Sequence, residues 1–178
     1  MHKLVAVKMQ PRRIPLSKEL RVTVYRHDRW LCHWCDKPVI FAQVLKYLEK
    51  ELKASSGYSG EQLCYYNKNW RRTDAPLLDL LGAEIDHIDG NKANNDPKNL
   101  ATSCHKCNIE KGAAKPEEWN KRHKKKPIKS KYGEPKYWDG LSSLFVMLAQ
   151  RHPAEVTTDE KGWLRALAGR SAMVAPLS

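Results

Sequence analysis

No apolar run in this chain approaches the roughly 18 residues that a membrane span needs. The first segment carries charge and then Pro11, Arg12, Arg13, Ile14 and Pro15, not the apolar stretch of a secretory signal. The chain therefore reads as a soluble, intracellular protein. It has no internal repeat beyond a doubled Cys-x-x-Cys. Acidic residues are scarce: 20 Asp and Glu stand against 32 Lys and Arg in 178 residues, for a formal net charge of +12. The sequence pI is near 9.5. That balance favours a polyanionic partner, nucleic acid first, with general surface basicity as the plain alternative. An acidic membrane surface fits less well, because the basic residues do not line one amphipathic helix. Hydrophobic residues make up 41% of the chain. That is enough for a modest core, which a structural metal would help.

The five cysteines are Cys32, Cys35, Cys64, Cys104 and Cys107. Four of them form two Cys-x-x-Cys pairs, which in a reducing compartment read as a metal site rather than disulfides. Four thiolates suit tetrahedral zinc and leave no open position, so the site would be structural. A redox or iron–sulfur role is the alternative. The spacing would tie the first third of the chain to its middle. His33 and His105, inside the pairs, are expected at the surface or on phosphates rather than as ligands. Cys64 is expected to be a bystander thiol.

The periodicity predicts a helix from Lys18 to about His27 behind an N-cap at Ser17, although Val22, Thr23 and Val24 weaken it. A second helix is predicted over Phe41 to Lys53, with Val44, Leu45, Leu48 and Leu52 on one face. Ser55 to Gly60 reads as a breaker-rich loop. Short strands are predicted at Ala83 to His87 and Asn99 to Ser103. Between them, Asp89, Gly90 and Asn91 signal a turn, and Asn94 and Asn95 read as loop chemistry. A helix follows from about His105 to Lys111, ending near Gly112. Further helices are predicted over Leu141 to Arg151 and, behind a Thr157/Glu160 capping box, through about Ala168. The expected organisation is a metal-stapled domain over 1–114 with an insert at 36–82, a basic linker at 115–137 and a helical extension at 138–178.

Between the knuckles runs "EIDHIDGNKANNDPKNLATSCHKCNIEKG", preceded by "RVTVYRHDRWLCHWC". Together these resemble the HNH family of ββα-metal nucleases, over roughly Arg21 to Cys35 and Ala83 to Gly112. The resemblance implies an α+β fold, a ββα-metal core stapled by a four-cysteine structural zinc with helical elaborations. It implies His87 as general base and Asp86 as a carboxylate metal ligand. It implies Asn99 as the residue that fixes the histidine loop, and Asn108 as the last metal ligand of an H-N-N variant. Neutral and anionic oxygen donors lean toward Mg2+ or Mn2+.

The chemistry also holds together without the family. Phosphodiester hydrolysis needs an activated water, which a histidine can supply. It also needs negative charge stabilised on the phosphate and the leaving oxygen, which one hard divalent ion can do. Taken singly, His87 reads as a structural histidine, and Asp86, Asn99 and Asn108 as turn or cap residues. Their order around a Cys-x-x-Cys pair is what favours a site. Asp86 and His87 are neighbours on a strand and so point to opposite faces; the strand must end or twist there. Asp89 is a further candidate for the metal shell.

Lys106 and Lys111 beside the helix are candidate phosphate contacts or solvated surface. Lys124, Lys125 and Lys126 in the basic linker could track a DNA backbone by counterion release, or form a solvated charge run. Arg71 and Arg72, beside Trp70 in the insert, are candidate base contacts. The resulting expectation is a metal-dependent endonuclease acting on double-stranded DNA, with a sequence-specific restriction-type role foremost. Homing and phage-processing roles are alternatives. A double-strand cut by one-site subunits would favour a homodimer. The rivals are a non-catalytic zinc-knuckle DNA-binding protein and an RNA-cleaving version of the same site.

Overall fold

The computed structural model describes residues 15–56, 81–112, 114, 117–119 and 138–169. The protein is α+β, with five α-helices and one two-stranded sheet among the described residues. The first helix, α1, spans Lys18–His27. Ser17 caps it by accepting from the Leu20 N–H at 3.1 Å, Glu19 sits in its first turn, and Arg26 and His27 sit in its last. Both charge placements suit the helix dipole. The β-branched run that counts against helix is tolerated because Val22 and Val24 are buried, while the Thr23 hydroxyl donates to the Glu19 carbonyl one turn back.

After α1 the chain turns sharply through Arg29 and Trp30, both in the left-handed region (φ 55° and 56°). Trp30 is thereby driven into the core. Gly140 (φ +67°) lies against its face, where a Cβ would come within 2.2 Å of Trp30 Cε3. The knuckle that follows is closed by a Leu31–Pro38 bridge and by the Cys32 N–H donating to the Lys37 carbonyl.

Helix α2 spans Gln43–Ser56. Its buried side is Val44, Leu45 and Tyr47, with Leu48 partly covered; Leu52, expected on that face, is 40% exposed. Strands β1 (Ala83–His87) and β2 (Leu100–Cys104) pair antiparallel, from Ala83 opposite Cys104 to His87 opposite Leu100. Helix α3 (His105–Lys111) follows β2 without a break and ends at Gly112, φ +56°. Helix α4 spans Ser142–Arg151 and α5 spans Thr158–Ala168, the latter behind the expected Thr157/Glu160 capping box.

The core joins segments distant in sequence. Phe41 meets Phe145 of α4 edge-on at 5.1 Å and Trp163 of α5 at 5.2 Å. Helices α4 and α5, expected as an extension, thus share one apolar core with α1, α2 and the knuckle. Two polar ties reinforce this. Buried Glu160 receives Lys46 and Tyr47 from α2, and Arg26 of α1 donates to the carbonyls of Leu167 and Gly169 at the end of α5. Among the described residues, no helix is long and apolar enough to cross a membrane.

Candidate active site and metal centre

The knuckle delivers Cys32 and Cys35. Cys104 ends β2 and caps α3 by accepting from the Cys107 N–H; Cys107 follows one turn on. The His33 N–H donates to the Thr102 carbonyl at 2.8 Å and sews the knuckle to β2. The four sulfurs all lie within 4.8 Å of one another, with Cys35 and Cys104 at 3.9 Å. A tetrahedral zinc with Zn–S near 2.3 Å requires sulfurs about 3.8 Å apart, so the donor set and its size fit a metal such as zinc. Without a cation the sulfurs cannot all ionise. Hydrogen bonds from Cys104, Cys107 and Cys35 hold the Cys32 thiol far below its usual range, and Cys107, against Cys104, Cys32 and Cys35, is pushed far above it.

The strand–loop–strand–helix unit from Ala83 to Lys111 carries the other expected residues. His87 ends β1 and is buried; its Nε2 lies 2.9 Å from Asn95 Oδ1. Asn99 makes three bonds in the loop between the strands. Its Oδ1 accepts from the Asp89 N–H, and its amide donates to Asp89 Oδ1 and the Asn94 carbonyl, each at 2.9 Å. Asn91, Asn94 and Asp96 add successive side-chain-to-backbone turns, the loop chemistry expected of Asn91 and Asn94. Burial raises the Asp89 pKa, but the bonds from Asn94, Asn91 and Asn99 outweigh it and leave the carboxyl below its usual range. A shallow open cavity of about 380 Å³ lies here, lined by Asp89, Asn94, Asp96, Asn99 and Glu117 among others.

On the other face of β1, Asp86 is buried and engaged on both oxygens. The Trp34 indole N–H donates to Oδ2 at 2.7 Å, and the Lys111 ammonium lies 3.2 Å from Oδ1 and 3.1 Å from Oδ2. Lys111 also donates to the His87 carbonyl at 2.9 Å and sits 5.3 Å from the centre of the Trp34 ring. Lys111 was expected as a phosphate contact or solvated lysine; its side chain is instead 0% exposed. The reason is that α3 turns it inward onto β1, where Asp86 neutralises it. Lys106 is exposed and pairs with Glu110 at 3.9 Å. His33 is exposed as expected, whereas His105 is buried against Glu84, its Nδ1 2.5 Å from Oε1. Asn108 donates to the other Glu84 oxygen.

Asp86 and Asn108 therefore lie toward the same side of β1, but their hydrogen bonds run to Lys111 and Trp34 in one case and to Glu84 in the other. His87 turns away toward Asn95. Sequence reasoning missed Glu84, Trp34 and, as a histidine partner, Asn95. Glu84 did carry a signal, since it shares a strand face with Asp86 two residues on. Arg71, Arg72, Cys64, Lys124, Lys125 and Lys126 lie outside the described residues. No family model, curated protein or solved structure matches the chain, so the functional reading rests on its own residues.

Proposed function

We propose that the protein is a metal-dependent endonuclease of the HNH, ββα-metal kind, acting on duplex DNA, with a sequence-specific restriction-type role foremost. One observation supports it most. Asn99 closes the loop behind His87 while α3 brings Asn108 onto the strand that carries Glu84 and Asp86. That is the strand–loop–strand–helix order the resemblance implies. In this reading the four cysteines hold a structural zinc, whose coordination they complete. A magnesium or manganese ion, with Asp86 and Asn108 as the expected oxygen ligands, would neutralise charge on the phosphate and on the leaving oxygen.

The chain's own residues do the remaining work. Donation from His87 Nε2 to Asn95 Oδ1, 2.9 Å away, would fix the tautomer that leaves Nδ1 to take a proton from the attacking water. Asn99 keeps the loop closed so that this orientation persists. Exposed Lys106 and the net charge of +12 would draw the DNA backbone. Products with 5′-phosphate and 3′-hydroxyl ends follow from the resemblance.

The engagement of Asp86 by Lys111 favours a second reading, a zinc-knuckle protein that binds DNA without cutting it. Incubating the zinc-loaded chain with supercoiled plasmid, with and without Mg2+ or Mn2+, separates the two. Metal-dependent cutting that disappears in His87→Ala is the expected result. Binding without cutting on methylated and unmethylated DNA would support the second reading. Cutting of RNA in preference to duplex DNA would redirect the substrate.

A further inference from the structure

The two carboxylates on the α3-facing side of β1 stand in different electrostatic situations. Asp86 is matched by the Lys111 ammonium and by the Trp34 N–H, and its side chain is 5% exposed. An incoming divalent ion would have to displace or share Asp86 with a buried lysine. Glu84 is two residues earlier, on the same face. Its partners are the His105 ring and the Asn108 amide. Among the described residues no lysine or arginine forms an ion pair with it, and its side chain is 23% exposed. On α3, His105, Asn108 and Lys111 are spaced three apart and form one stripe against the strand. The end of the stripe near Lys111 is already neutralised. The end near His105 and Asn108 carries a carboxylate whose partners are an imidazole and an amide rather than a lysine.

We propose that Glu84, in place of the Asp86 that Lys111 holds, is the carboxylate ligand of the divalent ion, beside Asn108, and that His105 holds Glu84 in place. The choice of a hard ion rests on the nuclease reading above. A carboxylate oxygen and an amide oxygen are hard donors of the kind magnesium and manganese accept, and these ions keep several waters, so two protein oxygens suffice. In the present arrangement the Asn108 amide nitrogen faces Glu84. Rotation about its Cβ–Cγ bond turns its oxygen to the ion, and the hydrogen bond to Glu84 gives way to a shared cation. His105, buried and bonded to the other oxygen, limits the directions Glu84 can take, as an outer partner does for a ligating carboxylate.

The test is Mn2+ binding by the full chain with its cysteine cluster zinc-loaded, in the absence of DNA. Unbound Mn2+ is read from its paramagnetic resonance signal. The expected result is one ion per chain, with affinity reduced tenfold or more in Glu84→Gln. Thermal unfolding without Mn2+ gives each protein its own baseline, and the stabilisation that Mn2+ adds to the wild type should vanish in the variant. Should Glu84→Gln fail to fold, Glu84→Asp keeps the charge but shortens the reach, and is expected to fold and bind more weakly. Wild-type affinity in the folded Glu84 variant would overturn the proposal. So would loss of binding in Asp89→Asn alone, or no Mn2+ bound by the wild type. The two readings fail separately. Mn2+ bound through Glu84 with plasmid left intact would sink the nuclease reading and leave the ion site. Metal-dependent cutting that keeps its Mn2+ requirement unchanged in Glu84→Gln would do the reverse.

Discussion

Replacing Lys111 with methionine tests the buried pair on which the strand–helix unit turns. The ammonium is fully buried, lies 3.1 and 3.2 Å from the two Asp86 oxygens, and also donates to the His87 carbonyl at 2.9 Å. Methionine fills similar volume but leaves Asp86 with Trp34 as its remaining described donor. Removing one partner of a buried ion pair costs about 3–5 kcal/mol, because the other charge stays behind uncompensated. For a domain of this size each kcal/mol moves the melting midpoint by about 2–4 °C, so a fall of about 6–20 °C is expected. The assay is thermal or urea unfolding of the zinc-loaded protein. Lys111→Met combined with Asp86→Asn should lose less than the sum of the two single changes, since both charges are then gone. A loss below about 1 kcal/mol, of the size expected for an exposed pair, would refute the reasoning.

Stripping the metal from the cysteine cluster with a chelator should lower the unfolding midpoint and change the tryptophan emission, because Trp34 lies between Cys32 and Cys35 and donates to Asp86; an unchanged midpoint after verified removal would show that the cluster does not support the fold. Gly140→Ala should destabilise by about 2 kcal/mol or more, since its Cβ would meet Trp30 at 2.2 Å and φ is +67°; calorimetry showing no loss would contradict that packing. Burial raises the pKa of Glu160, but bonds from Thr157 and Lys46 outweigh it, so the folded value lies below the usual range. A group depressed in the folded state contributes stability that is present above its unfolded pKa and lost as the pH falls through the folded one. Acid titration of unfolding should therefore show a loss beginning near pH 4.5 and continuing below it, diminished in Glu160→Gln; equal acid sensitivity in both proteins would refute it. Tyr47 gives the opposite limb. Burial and the Glu160 charge push it up to about 12 from 10.0, so its contribution is complete below pH 10 and lost as the pH rises toward 12, which Tyr47→Phe should abolish.

Much of the fold was legible because its signals are local. Ser17 before an apolar period, Thr157 with Glu160 three residues on, and Gly112 after α3 each act within one turn of chain, and each sits where expected. The paired cysteines were legible for a different reason: two identical spacings imply a common centre, and the sulfurs do converge. What was not legible depends on contacts between distant segments. Nothing near Phe41 in sequence announces Phe145, more than a hundred residues later, as its neighbour. Lys111 was misplaced because a lysine in a strongly basic chain reads as surface. Only the juxtaposition of α3, β1 and the knuckle, through Asp86 and Trp34, supplies a reason to bury it. Leu52 continues the apolar period of α2 but lies exposed, so periodicity alone did not set the limit of that helix's buried face.

The placement of Asp86 and His87 on opposite faces of β1 constrains any single reaction that uses both sides. Glu84 and Asp86 face α3, where they meet Asn108 and Lys111, whereas His87 faces Asn95 and the loop that Asn99 closes. A phosphate could not touch both sides from the middle of the strand, because the sheet lies between them. It could do so at the strand's end, where β1 stops at His87 and the Gly90 N–H turns back to the His87 carbonyl with φ +74°. That same carbonyl accepts from Lys111. One backbone oxygen thus links the loop on the histidine side to the helix that carries Asn108. The rigidity needed to hold a base and an ion site in register across a strand end would come from this link, from Asn99 and from the cysteine cluster at the start of α3. In the nuclease reading, a change at Lys111 would therefore disturb both halves of the site at once, whereas a change at Glu84 would disturb only one.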